Sequence, residues 1–190
     1  GVDDNCNDSV EQCLWDADDE IQGHLRTAPA DGGAVASLAV GDVRLDGAEA
    51  DPFSDLLLGV PAVGNGPGAA YLLLGSSELV VDETNTSWGS QTLESTAAVR
   101  FRGSEEGESV GTAVAMGDLN ADGYTDVVLG AGEDAGEVYV VYGPFADGEE
   151  VLVTGQGPGQ QLFVGDKPAN YVGEHLGATL AVGDVTGDGI

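Results

Sequence analysis

Nine consecutive residues carry the clearest chemistry in this chain: Asp118-Leu119-Asn120-Ala121-Asp122-Gly123-Tyr124-Thr125-Asp126. Asp118, Asn120 and Asp122 alternate, so three oxygen-bearing side chains can converge from one tightly curved loop. Gly123 permits the turn that brings the chain back. Tyr124 is placed to offer its backbone carbonyl, and Asp126 closes the ring from the strand that follows. Such a set suits a hard cation with about six to eight oxygen ligands, so Ca2+ is the expected cofactor; Mg2+ would take fewer protein oxygens in a stricter octahedron. The loop holds no His or Cys, which argues against zinc and copper. Its spacing opens like an EF-hand, but the twelfth position from Asp118 is Leu129 rather than the required Glu. The competing reading is a solvated acidic turn, and recurrence of the loop elsewhere in the chain weighs against it.

Gly-Asp pairs fall at 41–42, 117–118 and 183–184, each after a short run of small and branched apolar residues and before an acidic, Gly-containing loop. In the last of these, Asp184, Thr186 and Asp188 keep the same register and Gly189 follows; the closing carboxylate would come after Ile190, so a metal there is expected to bind weakly. In the first, Asp42 and Asp46-Gly47 match, but Arg44 stands where Asn120 stands, and five extra residues precede Asp55. Two readings remain for this loop. Either Arg44 replaces the ion and pairs with Asp42, Asp46 or Asp55, or a remodelled calcium site uses Asp51.

These loops need strands to hold them. The runs around them are Gly-bounded, strand-sized and rich in Val, Leu and Tyr, as in Leu56 to Val60 and Val138 to Tyr142. "GAAYLLLGS" and "GEVYVVYGP" follow the first two loops, while "AAVRFRG" and "QQLFVGD" supply a further strand ahead of the next motif. A unit of about four strands recurring every 60-odd residues is the pattern of a β-propeller blade. Helix is expected at most for a turn or two in "DADDEIQGHL".

Composition narrows the function classes. The chain has 190 residues, 34 Asp plus Glu against 5 Lys plus Arg, and a formal charge of −29. So anionic a surface repels phosphate backbones and anionic lipid, so neither nucleic acid nor a membrane surface is an expected partner. No stretch approaches the roughly 20 apolar residues that span a bilayer. The charge fits cation binding or a saline environment. Cys6 and Cys13 are the only cysteines; they are either free thiols or, as an oxidising compartment would favour, a disulfide. An enzyme is not expected. His24 and His175 are the only histidines, Lys167 is the sole lysine, and no Gly-rich phosphate loop adjoins it. Tyr71, Tyr139 and Tyr142 read as packing residues; Trp15 and Trp88 lie in polar loops, as contact residues or as plugs beneath them.

The segment "VGTAVAMGDLNADGYTDVVLGAGEDAGEVYVVYG" resembles the FG-GAP repeat, the blade of the integrin alpha-subunit β-propeller and of many bacterial surface proteins. Val110-Gly111 and Leu176-Gly177 stand in place of the Phe-Gly of the family name. The resemblance implies an all-β fold of β-propeller-type blades, each of four antiparallel strands, with calcium held in the loop between the first and second strands. The units run 21–95 (interrupted loop), 96–160 (near-ideal) and 161–190 (incomplete). Residues 1–20, "GVDDNCNDSVEQCLWDADDE", resemble a short acidic cysteine motif that precedes such repeats in bacterial surface proteins. There Asp3, Asp4, Asp8 and Glu11 either hold a second calcium or form a solvated linker.

The expectation is therefore a non-catalytic, calcium-stabilised extracellular or cell-surface module for binding, adhesion or assembly, with a protein or glycan ligand or further copies of itself as partner. Two blades and the start of a third do not close a ring. A longer polypeptide, or a calcium-dependent fibre or ring in which one chain completes the next, would resolve this. An accessory propeller of a larger secreted enzyme is the other alternative.

Overall fold

The computed structural model describes residues 25–26, 33–45, 47, 52–61, 66–75, 91–166 and 173–183. Strands β1 (Leu25–Arg26), β2 (Ser37–Gly41), β3 (Asp55–Val60), β4 (Ala69–Leu73) and β5 (Gln91–Thr92) precede a single helical turn, α1 (Leu93–Thr96). Strands β6 (Val99–Gly103), β7 (Ala113–Gly117), β8 (Asp126–Ala131), β9 (Glu137–Val141), β10 (Glu149–Val153) and β11 (Gln160–Val164) follow. The fold is all-β. Sheet 1 has the order β10-β6-β4-β3-β2 and sheet 2 the order β11-β9-β8-β7. Within each, four strands form an antiparallel meander, and among the described residues neither sheet closes into a barrel. These are the expected blades.

Two details differ from the sequence pattern. The strands of "AAVRFRG" and "QQLFVGD" do form, but each is the fourth strand of the antiparallel meander before its motif, so sheet and sequence unit are offset by one strand. And β10 leaves sheet 2 between its third and fourth strands to pair in parallel with β6 on the rim of sheet 1. The helical turn sits at 93–96, where Thr92 and Ser95 form a reciprocal capping box. The "DADDEIQGHL" stretch lies almost wholly outside the described residues.

The core fills the joint between the sheets. Leu57, Leu72, Val99 and Phe101 of sheet 1 face Val114, Val127, Leu129 and Val141 of sheet 2. β8 is buried along its whole length, which explains its near-continuous apolar run. Small residues set the spacing. A Cβ on Gly59 would lie 2.2 Å from the Gly111 carbonyl oxygen, and one on Gly130 2.0 Å from that of Gly177. The second pair repeats the first one unit later. Parallel bridges repeat likewise, Gly68 with Val110 and Gly136 with Leu176. So do the side chains: Met116 presses on Gly41 and Val182 on Gly117, while Val114 packs in the first joint and Leu180 in the second. Residues 173–183 thus dock on sheet 2 as the corresponding stretch of sheet 2 docks on sheet 1.

Candidate functional site

The Asp118–Asp126 loop joins the first and second strands of sheet 2, and its ends are pinned by the β7–β8 register, in which Gly117 faces Asp126. Two residues inside it take left-handed backbone, Ala121 (φ 59°) and Gly123 (φ 84°), which curl the chain over its own side chains. The Asp118 carboxylate accepts from the Asp122 amide at 3.2 Å and the Gly123 amide at 2.9 Å. The Asn120 Oδ1 accepts from the Asp122 amide at 2.9 Å, and its Nδ2 donates to Asp122 Oδ2 at 2.9 Å. The other Asp122 oxygen accepts from the Tyr124 amide at 2.8 Å. Asp118, Asn120 and Asp122 are brought together in one turn, with their oxygens directed onto loop amides and one another. Among the described residues no three His, Cys, Asp or Glu side chains are gathered as around a metal.

Asp126 is fully buried. Its Oδ2 accepts from the Leu119 amide at 2.8 Å and its Oδ1 from the Gly143 amide at 3.0 Å. Burial raises its carboxyl above the ordinary aspartate value, against the pull of those two amides, and the charges of Asp122 and Asp118 push the same way as burial. The charges of Asp122 and Asp118 therefore reach Asp126 across the loop. An all-oxygen donor set carrying three carboxylates is of the kind a hard cation takes.

The first loop repeats the scaffold, with Arg44 standing where Asn120 stands in the second. Gly41 faces Asp55 in the β2–β3 register. Asp55, 1% exposed, accepts from the Val43 amide at 2.5 Å and the Gly75 amide at 2.7 Å. These are the counterparts of Leu119 and Gly143. Asp42 is exposed at the loop mouth, and its carbonyl accepts from Thr125 Oγ1 at 2.7 Å. The Arg44 guanidinium lies 4.6 Å from the centre of the Tyr124 ring, so it leans across to the neighbouring loop. Asp46, Asp51, Asp184, Thr186 and Asp188 lie outside the described residues, as do Cys6, Cys13 and the other acidic residues of the N-terminal segment.

At the opposite end of the strands is a cavity of about 450 Å³ that sequence reasoning did not anticipate. Glu105, Glu106, Glu108, Glu133, Asp134 and Glu137 line it. The buried Tyr139 hydroxyl donates toward the Glu108 and Glu137 carboxylates; burial first, then these acceptors, hold its pKa far above that of an ordinary tyrosine. The signal in the sequence was the acidic run 105–108 followed by another at 133–134, separated by strands that turn back together. Tyr71 donates to Glu94 at 3.2 Å and Tyr142 to Gln161 at 3.0 Å. His175 Nδ1 lies 3.0 Å from the Gly132 carbonyl.

β7, the acidic loop, β8 and β9 thus form one unit, bounded by a glycine joint at one end and closed by an apolar strand at the other. Residues 110–141 are an FG-GAP repeat. The match runs from the residue that bridges to sheet 1 through the end of β9, and so contains the whole acidic loop. No curated protein matches the sequence. FG-GAP repeats typically occur in extracellular or surface proteins, and among the described residues no helix is long and apolar enough to cross a membrane.

Proposed function

We propose that this chain is a calcium-stabilised, non-catalytic module of an extracellular or cell-surface β-propeller, serving adhesion or assembly. Its partner would be a protein or glycan at a surface, and Ca2+ its resident ion. The observation that supports the reading is the placement of an oxygen-only loop carrying Asp118, Asn120, Asp122 and Asp126 between the first and second strands of the sheet that matches the FG-GAP repeat. Asp118, Asn120 and Asp122, the Tyr124 carbonyl and Asp126 would hold the ion. Bound calcium would supply the positive charge that lets these groups sit together, and would tie β7 to β8. Its role is stability rather than reaction chemistry.

The test is thermal unfolding in EDTA and in calcium. Extracellular modules bind calcium with dissociation constants of about 10⁻⁴ to 10⁻³ M, and a ligand at about 100 times its dissociation constant adds about 2.7 kcal/mol. Calcium should raise the melting temperature of the native chain, and Asp122→Ala should abolish that increment whatever it does to the baseline. Equal melting in EDTA and calcium would make the loops solvated turns.

A further inference from the structure

The first loop leans on the acidic loop of sheet 2 at two adjacent residues. The Arg44 guanidinium lies over the Tyr124 ring, 4.6 Å from its centre. The Thr125 hydroxyl donates to the Asp42 carbonyl at 2.7 Å, joining residues 83 apart in the chain. Both contacts follow from how the first loop is built. Val43 and Leu45 are buried in the core that fills the joint between the sheets, so the side chain between them turns outward, and Arg44 is exposed. Val43 is held a second time through its amide, which donates to the Asp55 carboxylate. The backbone that carries Arg44 is therefore already ordered by sheet 1.

Tyr124 and Thr125 lie between Asp122 and Asp126, where the chain leaves the left-handed turn at Gly123 and enters β8. On one side the Tyr124 amide donates to Asp122 at 2.8 Å. On the other, Asp126 accepts from the Leu119 and Gly143 amides. A loop that closes on an ion has to hold this stretch still, and a stretch already held has less conformational entropy to lose on binding. We infer that Arg44 and Thr125 are positioning residues for the cation loop of sheet 2: they steady Tyr124 and the entry to β8, so that an ion in that loop also tightens the joint with sheet 1. The inference rests on the calcium reading above and adds the route by which the ion acts on the neighbouring unit. Such coupling is reciprocal, since whatever the clasp adds to ion affinity, the ion adds to the clasp. With its charge on the ring face, Arg44 steadies the loop without supplying a donor to it.

The probe is calcium chloride at matched ionic strength on the whole chain, read by amide hydrogen exchange and by calorimetric titration. In the native chain calcium should slow exchange of the Val43 amide more than that of Gly103, which donates to Gly68 at the far end of sheet 1. Gly103 reports the general gain in stability, so the excess at Val43 reports the coupling. Arg44→Met combined with Thr125→Val removes the charge and the hydroxyl while keeping most of each side chain's bulk. The pair should weaken calcium binding at least about fivefold. It should also bring the calcium effect at Val43 down to that at Gly103, while the Asp122 and Gly123 amides still respond. Thr125→Ser, which keeps the hydroxyl, should recover what Thr125→Val loses. A clasp that is only structural would speed Val43 exchange equally with and without calcium and leave the affinity unchanged, and that result would overturn the inference. Tighter calcium binding by Arg44→Met would overturn it as well, by making the guanidinium a repelling charge. Slowing confined to Asp122 and Gly123 in the native chain would sink the inference and leave the calcium reading intact. No response in either loop would sink the calcium reading, and the inference with it.

Discussion

Asp55 and Asp126 carry more of the fold than their reading as closing ligands suggested. Each is buried, each begins the second strand of its sheet, and each accepts two backbone amides: one from the residue after the Gly-Asp pair, one from the glycine that ends the third strand. One carboxylate thereby ties three strand ends. Replacing it with Ala orphans both donors, at a cost of about 1–3 kcal/mol for each buried one. Asn is expected to rescue little, since it offers a single acceptor oxygen and turns an N–H toward the other donor. Urea unfolding of Asp55→Ala, Asp55→Asn and the two Asp126 counterparts checks this; an Asn variant as stable as the native chain would show that one of the two bonds contributes nothing. The same two-amide role in both loops holds even though Arg44 has displaced a candidate ligand from the first.

Between elements, the decisive dimension is the approach of one unit's backbone to the next. Gly59 and Gly130 each sit where a methyl would meet a carbonyl oxygen of the following unit, so the chain beginning at Gly111 or Gly177 must move to admit it. Overpacking of this kind costs about 1–3 kcal/mol, and more where backbone rather than side chain must yield. Gly59→Ala and Gly130→Ala are expected to lower the denaturation midpoint by at least that amount. Gly183→Ala, where a Cβ meets nothing within 4 Å, should leave it unchanged. A neutral Gly130→Ala would mean that residues 173–183 do not press on sheet 2 as their counterparts press on sheet 1. The segment from Gly143 through β10 works at the same scale. It covers Phe101 with Phe145 and adds a fifth strand to a rim that would otherwise present open hydrogen-bonding groups.

For the whole molecule, a charge of −29 is a cost spread over every surface. Among the described residues the ion pairs are Arg102 with Glu94 at 2.6 Å and with Glu150 at 3.5 Å, and Arg100 with Glu94 at 3.5 Å. Such partly exposed pairs are each worth about 0–1 kcal/mol, so screening them loses less than screening the general repulsion gains. Raising sodium chloride from about 0.01 to about 1 M shortens the screening length from about 30 to about 3 Å. In EDTA this should raise the melting temperature steadily. A fall with salt would mean that the Glu94 cluster outweighs the net charge. Calcium's increment is to be read at matched ionic strength, because a divalent ion also screens.

The amino-acid sequence by itself determined the repeat, the strand class and the chemistry of the acidic loop, because each is written locally. Apolar runs bounded by glycine specify buried strands, and alternating oxygens ending in Asp-Gly specify a tight turn. The resemblance to the FG-GAP repeat implied the loop's place between the first and second strands of its blade, where β7 and β8 hold it. What it did not decide was which sheet a strand joins. "AAVRFRG" reads as the opening of the second unit, yet its hydrogen-bond partners lie in the first, and β10, which also falls within the second unit, crosses to the rim of the first. Strand periodicity reports which faces are buried and is silent on the neighbour. Nor did the spacing reveal that Asp126 would be held by two amides, that Arg44 would reach the next loop, or that two acidic runs would meet around one cavity. Those depend on residues far apart in the chain being folded back to within a few ångströms, and only the packing of sheet on sheet brings that about.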